Sequence, residues 1–128
     1  MKKALIIILV ILGVIILAIG GGILYISNGL ESGKNLVINS VDPTQVSDGV
    51  YTGSYQGGRW SNEVEVTVSE KKITQINVIK SVKFEKPEVT NALINNVIEK
   101  QNTLVDSVSG ATVTSKAYLK SIENALSN

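Results

Sequence analysis

Cysteine and histidine are both absent from this 128-residue chain. Without cysteine there is no disulfide, no thiolate nucleophile and no lipid-modified cysteine to act as an anchor. Without histidine the commonest neutral-pH base and the commonest metal ligand are gone. No catalytic set and no metal site is expected. Missing disulfides leave the compartment open, because many exported domains have none. Aromatics are sparse as well, with one Trp, one Phe and four Tyr, and there are only two prolines. Net charge is +1, but Lys2 and Lys3 supply two of the twelve basic residues, leaving ten against eleven acids in the rest. No basic stripe carries interleaved aromatics, so nucleic acid is excluded as an expected partner.

What the chain does have is one long apolar run. Ala4 to Ile26 holds 23 residues without a charge. As a helix it would be about 34 Å long, against about 30 Å for a hydrocarbon core. Lys2 and Lys3 precede it, and the next basic residue is Lys34. The positive-inside rule then places the N-terminus in the cytoplasm and the remainder outside. The competing reading is a cleaved signal peptide, with Ala18-Ile19-Gly20 as small residues at a cleavage spacing. The run continues through Gly20-Gly21-Gly22 to Ile26, longer than a usual signal core, so an uncleaved anchor in the lipid bilayer is expected.

Three regions follow: an anchor over 1–26, a linker over 27–47 and a folded domain over 48–128. Ser27 to Ser47 reads as a tether of about 25 Å if flexible, with Leu36-Val37-Ile38 as an alternative short strand. Tyr51 to Gln56 has strand formers, and Gly53 within it suggests a bulge or a close backbone approach. Gln56 to Asn62 reads as an exposed loop. Glu63 to Val68 alternates strictly, with Val64, Val66 and Val68 on one face. After a turn at Ser69–Lys72, Ile73 to Val82 alternates with neither face purely polar, so partial cover on both sides is expected. Pro87 opens a helix to Lys100 with an apolar stripe of Val89, Ala92, Leu93, Ile94, Val97 and Ile98. A last helix is expected from about Ser115 to Leu126, burying Leu119, Ile122 and Leu126. The fold class is α+β: a small antiparallel sheet with two amphipathic helices packed on it, preceded by a single transmembrane helix.

Just before that last helix stands Asp106-Ser107-Val108-Ser109-Gly110-Ala111-Thr112-Val113-Thr114-Ser115. The first N–H groups of a helix lack internal partners and, with the helix dipole, attract negative charge, phosphate above all. Gly110 would let the backbone approach such a group. Ser and Thr are also ordinary helix caps, and Ser-Gly an ordinary turn pair, so capping alone is the competing reading.

Asp-x-x-Ser-Gly-Ala-Thr-x-Thr resembles the flavinylation motif of the FMN-binding domain family. That family includes the C subunit of the sodium-pumping NADH:quinone reductase and the G subunit of the Rnf complex. Asp48-Gly49-Val50-Tyr51-Thr52-Gly53-Ser54-Tyr55 is similar to the family's domain opening, and Glu63 to Val78 to its following hairpin. The resemblance implies FMN joined covalently, through its phosphate, to the hydroxyl of Thr112 by a separate flavin transferase. It implies that Asp106, Ser109, Gly110, Ala111 and Thr114 belong to the same cofactor-binding segment, with Thr114 as runner-up acceptor, N-cap or phosphate contact. Trp60 becomes either a neighbour of the flavin ring or a cover for the sheet edge, while Tyr51 and Tyr55, facing the same way, suit packing better.

The function implied is a membrane-anchored extracytoplasmic electron carrier, with a membrane-bound donor and an extracytoplasmic acceptor. The alternatives are an accessory flavoprotein subunit of a larger membrane redox complex and a sensor or structural module without redox chemistry. An electron-transfer protein is expected rather than a stand-alone enzyme.

Overall fold

The structure is a computed structural model that describes residues 1–127. The element order is α1 (Lys2–Ser27), α2 (Leu30–Lys34), a 3-10 turn (Pro43–Gln45), β1 (Gly49–Tyr55), a second 3-10 turn (Gly58–Trp60), β2 (Asn62–Ser69), β3 (Lys72–Lys80), α3 (Pro87–Lys100) and α4 (Thr112–Ser127). The apolar run thus forms a single helix, none of whose residues is buried against the remainder of the chain. Its most apolar window has a mean hydropathy of 3.2, long and apolar enough to cross a bilayer.

Strand pattern and sheet agree closely in β2. Val64, Val66 and Val68 are all buried, and Glu63, Glu65 and Thr67 point the other way. The three strands run antiparallel in the order β1-β2-β3. Between β2 and β3, Glu70 and Lys71 both take positive φ, at 54° and 65°, which matches the twist of a two-residue hairpin.

Partial cover on both faces of β3 is not what is observed. The β2–β3 register skips Thr74 and again Ile79, so each is a bulged residue. The first skip brings Ile73 and Ile76 to the same buried face although they are three residues apart. The second leaves Ile79 48% exposed. A bulge shifts every later side chain to the other face, so mixed alternation here records two slips rather than two covered faces.

The sheet's inner face is covered by α4, which packs across β1 and β2, and by α3, which lies against β3. Gly53 is where β1 meets α4. A Cβ there would overlap the carbonyl oxygen of Ser121 and the backbone nitrogen of Ala125, so the close-approach reading holds. The boundaries Pro87 and Lys100 of α3 are as expected, with Leu93 and Val97 buried and Ile94 and Ile98 partly so. Ala92, however, faces solvent. α4 starts earlier than Ser115 and is buried almost all round: Ala117, Tyr118, Leu119, Ser121, Ile122, Glu123, Ala125 and Leu126 are all inside.

The second side of α4 is covered by the 27–47 segment, which is packed rather than free. Gly33 of α2 fits against Val113. Lys116 Nζ donates to the Lys34 carbonyl at 2.8 Å and Lys120 Nζ to the Val37 carbonyl at 3.2 Å. The Asn39 N–H donates to the Glu123 carboxylate, and Asn39 O accepts from Thr103 Oγ1 at 2.7 Å. Leu36 to Ile38 is irregular backbone, not a strand. The segment's polar residues suggested a tether because they are read by composition; their backbone groups are satisfied by α4 and the loop before it.

Candidate functional site

The start of α4 is built by a loop that folds onto itself. Gly110 has φ +77°, and the turn it makes lets the Ala111 N–H donate to the Val108 carbonyl at 2.9 Å. The Ser115 hydroxyl accepts from the Val108 N–H at 3.0 Å, which pins the loop's entrance to the helix's first turn. A Cβ on Gly110 would meet nothing within 4 Å. Glycine supplies the left-handed backbone there, and the space beside it is open to an approaching group.

Thr112 is the first residue of α4 and is exposed. The first intrahelical bond runs from the Ser115 N–H to the Ala111 carbonyl, at 2.9 Å. The N–H groups of Thr112, Val113 and Thr114 therefore have no acceptor within the helix, and with the dipole they form an anion-attracting end. Thr114 is not the N-cap: the helix begins two residues before it and Ala111 occupies the cap position. Hydroxyl preference put the cap at Thr114 and the start near Ser115, whereas the helix begins at Thr112 and the Ser115 hydroxyl accepts from the Val108 N–H.

Beside this helix end lies a cleft of about 280 Å³. One wall comes from the motif, with Gly110, Ala111 and Thr114 lining it. The facing wall comes from the second 3-10 turn and the loop before α3, with Arg59, Trp60, Lys83, Phe84 and Lys86. Trp60 was read as lying in an exposed loop; it is only 4% exposed and belongs to the core. Gly58, at φ +59°, folds the loop inward. Asn62 then fixes it, donating from Nδ2 to the Trp60 carbonyl at 3.0 Å while its Oδ1 accepts from Ser121 Oγ at 2.6 Å. Both side chains are buried. The Arg59 guanidinium stacks 4.2 Å from the centre of the Trp60 ring and 5.6 Å from that of Phe84. Its buried Nε has no hydrogen-bond partner.

Asp106, Ser109 and Thr112 are exposed and do not line the cleft, Thr112 lying between its lining residues Ala111 and Thr114 in the chain. Asp106 instead borders a shallow hollow with Asn96, Glu99 and Lys100 at the end of α3. Tyr51 and Tyr55 share the inner face of β1 with Gly53, as their spacing implied. Tyr51 donates its hydroxyl to the Ser47 carbonyl at 2.6 Å, consistent with packing.

The cleft's electrostatics are one-sided. Among the described residues the one ion pair is Lys120 with Glu123, at 2.8 Å. Arg59, Lys83 and Lys86 thus have no carboxylate partner. An aromatic floor, unpaired cations and a helix N-terminus suit a flat aromatic ligand with a phosphate.

Residues 58–127, from the Gly58 turn through α4, match the family profile described as FMN-binding domain. This chain belongs to the FMN-binding domain family. The match spans both walls of the cleft and the whole of α4, so FMN is the cofactor this domain is built to bind. No curated protein matches the chain. The residues present fit the group: Thr112 offers an open hydroxyl at the helix start, and the cleft next to it has aromatic and cationic surface of the kind flavin and phosphate require. Arg59, Lys83, Phe84 and Lys86 were not singled out from sequence. Phe84 is the chain's one phenylalanine and Arg59 adjoins its one tryptophan, but nothing in their spacing says that two loops 24 residues apart meet.

Proposed function

We propose that this FMN-binding domain protein is a single-pass, membrane-anchored electron carrier. Its N-terminus lies in the cytoplasm, its domain lies outside, and its FMN is held by a phosphoester to Thr112. The observation that carries the reading is the exposed Thr112 hydroxyl at the first turn of α4, beside a cleft with an aromatic floor and unpaired cations. Bound FMN supplies the redox chemistry, since it takes up and gives back one or two electrons.

The protein's part is attachment, orientation and environment. A threonine hydroxyl is too weak a nucleophile to attack a pyrophosphate unaided, so a flavin transferase must provide the base and metal. The Thr112 Oγ–phosphorus bond forms as the pyrophosphate of FAD breaks, AMP leaves, and the hydroxyl proton passes to the transferase's base. The uncapped N–H groups of Thr112, Val113 and Thr114 stabilise phosphate charge at the attachment point. Arg59, stacked on Trp60, would offer a positive charge to FMN bound in the cleft. A covalent link suits an exported carrier, because flavin that dissociated outside the cell would be lost.

The test is whether flavin survives denaturation. After co-expression with a flavin transferase, the denatured protein band should fluoresce. Thr112→Ala should abolish that fluorescence while changing stability by less than about 0.5 kcal/mol, since the site is exposed and Ala is a good helix former. Thr112→Ser should retain some labelling, and Thr114→Ala should still label. Labelling that needs Thr114 and not Thr112 would move the acceptor to the other hydroxyl.

A further inference from the structure

We infer that the loop between β3 and α3, with Phe84 at its tip, is seated in the headgroup region of the bilayer that α1 crosses, which holds the mouth of the cleft at the lipid surface. The inference rests on α1 being a membrane anchor, and three features carry it beyond that reading.

The first is that the anchor leaves no slack. After α1 ends at Ser27, Gly29 turns the chain at φ +87°. A Cβ on Gly29 would overlap the Gly57 carbonyl, and a Cβ on Gly58 would overlap the Asn28 carbonyl. Backbone therefore lies on backbone where the anchor meets the turn that carries Arg59 and Trp60. The level of that turn relative to the membrane is set by the helix itself.

The second is the depth at which the loop reaches α1. Lys83 Nζ lies 5.7 Å from the centre of the Tyr25 ring. Tyr25 is the next-to-last residue of the uncharged run, the position at which tyrosine marks a membrane interface. A lysine beside it stands at headgroup level.

The third is the loop's own chemistry. Phe84 is 71% exposed and takes φ +58°, a conformation rare for a bulky residue. The chain's one phenylalanine is thus exposed, with exposed Lys83 before it and exposed Lys86 two residues after, beyond the half-buried Glu85. Beyond its contact with the Arg59 guanidinium at 5.6 Å, most of the ring stays exposed to water. At a bilayer surface the ring enters the acyl boundary while the two lysines extend toward lipid phosphates.

The absence of native cysteine makes the test direct. Single cysteines replace Phe84, Lys86, Val50 or Leu12 in the full chain, each carrying an environment-sensitive fluorophore, in nanodiscs of phosphatidylcholine and phosphatidylglycerol. Val50 is 60% exposed and pairs with Thr67, toward the far end of the sheet from Asn62; Leu12 lies mid-anchor. The expected result is quenching at position 84 by headgroup-labelled nitroxide lipid, with iodide quenching several-fold weaker there than at position 50. Should the Phe84→Cys protein lose its native circular dichroism, position 86 is read in its place. Iodide quenching at 84 equal to that at 50, or shielding from iodide without lipid quenching, overturns the inference. If position 12 is itself open to iodide, the anchor reading fails and takes this inference with it. None of these signals needs bound flavin, so they are independent of whether Thr112 is the acceptor.

Discussion

Single residues decide how this small domain handles polar groups in its interior. Tyr118 is 1% exposed, and its hydroxyl accepts from the Val82 N–H at 3.2 Å. Burial pushes its pKa above the ordinary 10.0, outweighing that hydrogen bond. Above pH 10 the unfolded chain loses this proton while the folded one keeps it. Folding stability should therefore fall as pH rises from about 10 toward the raised value, and be unaffected by this group below 10. Urea melts of the full chain in detergent at pH 8 and 11 check this, with Tyr118→Phe giving a smaller drop between the two. The same scale shows where sequence reading stopped. Thr112, Gly110 and Ala111 are adjacent in the chain, so their meeting was legible. Arg59 and Phe84 stand across the cleft from Gly110 and Ala111 only because Asn62, Ser121 and the positive φ of Gly58 fix the turn that carries Arg59, and those are choices of tertiary packing.

Secondary-structure elements were the most legible level, and each error has its own local cause. α3 ends where Pro87 and Lys100 predict, and β2 buries the three valines its alternation marks. β3 misled because two bulges break period two, and α4 because its cap is an alanine after a glycine rather than a hydroxyl. The closest packing between elements is β1 on α4 at Gly53. Gly53→Ala would force the helix off the sheet at Ser121 and Ala125. An overpacked contact of this kind costs about 1–3 kcal/mol, and the obstacle here is backbone, which yields less readily than a side chain. The full-chain thermal midpoint should drop by several degrees, with Thr52→Ala, on the strand's exposed face, as the control that changes little.

For the whole molecule, composition separated anchor from domain but misjudged what joins them. Polar residues between 27 and 47 looked like a spacer, yet α2 and the strand-free stretch after it form one side of the shell around α4. α1 and the domain are thus joined by about two residues of turn at Asn28 and Gly29. If the domain lies outside, protease added to cells with a permeabilised wall should remove 48–128 and leave the anchored stub. Cleavage should be slow, because the 27–47 segment is hydrogen-bonded along its length. Protection of the domain in intact cells, with digestion only after lysis, would reverse the orientation.

The burial of α4 on nearly every side has a consequence for biogenesis. The helix that completes the core is synthesised after every other element described, and both its faces wait for it: β1 and β2 on one side, the stretch following the anchor on the other. Many contacts are therefore long-range, and the sheet's inner face cannot be fully covered before residues 112–127 emerge. Such a topology favours slow, all-at-once folding after synthesis over stepwise folding along the way. If the domain is exported as proposed, late closure keeps the chain threadable through a narrow channel until α4 arrives. Thr112, at the head of that helix, takes its helical setting only once the other described elements are in place to receive it.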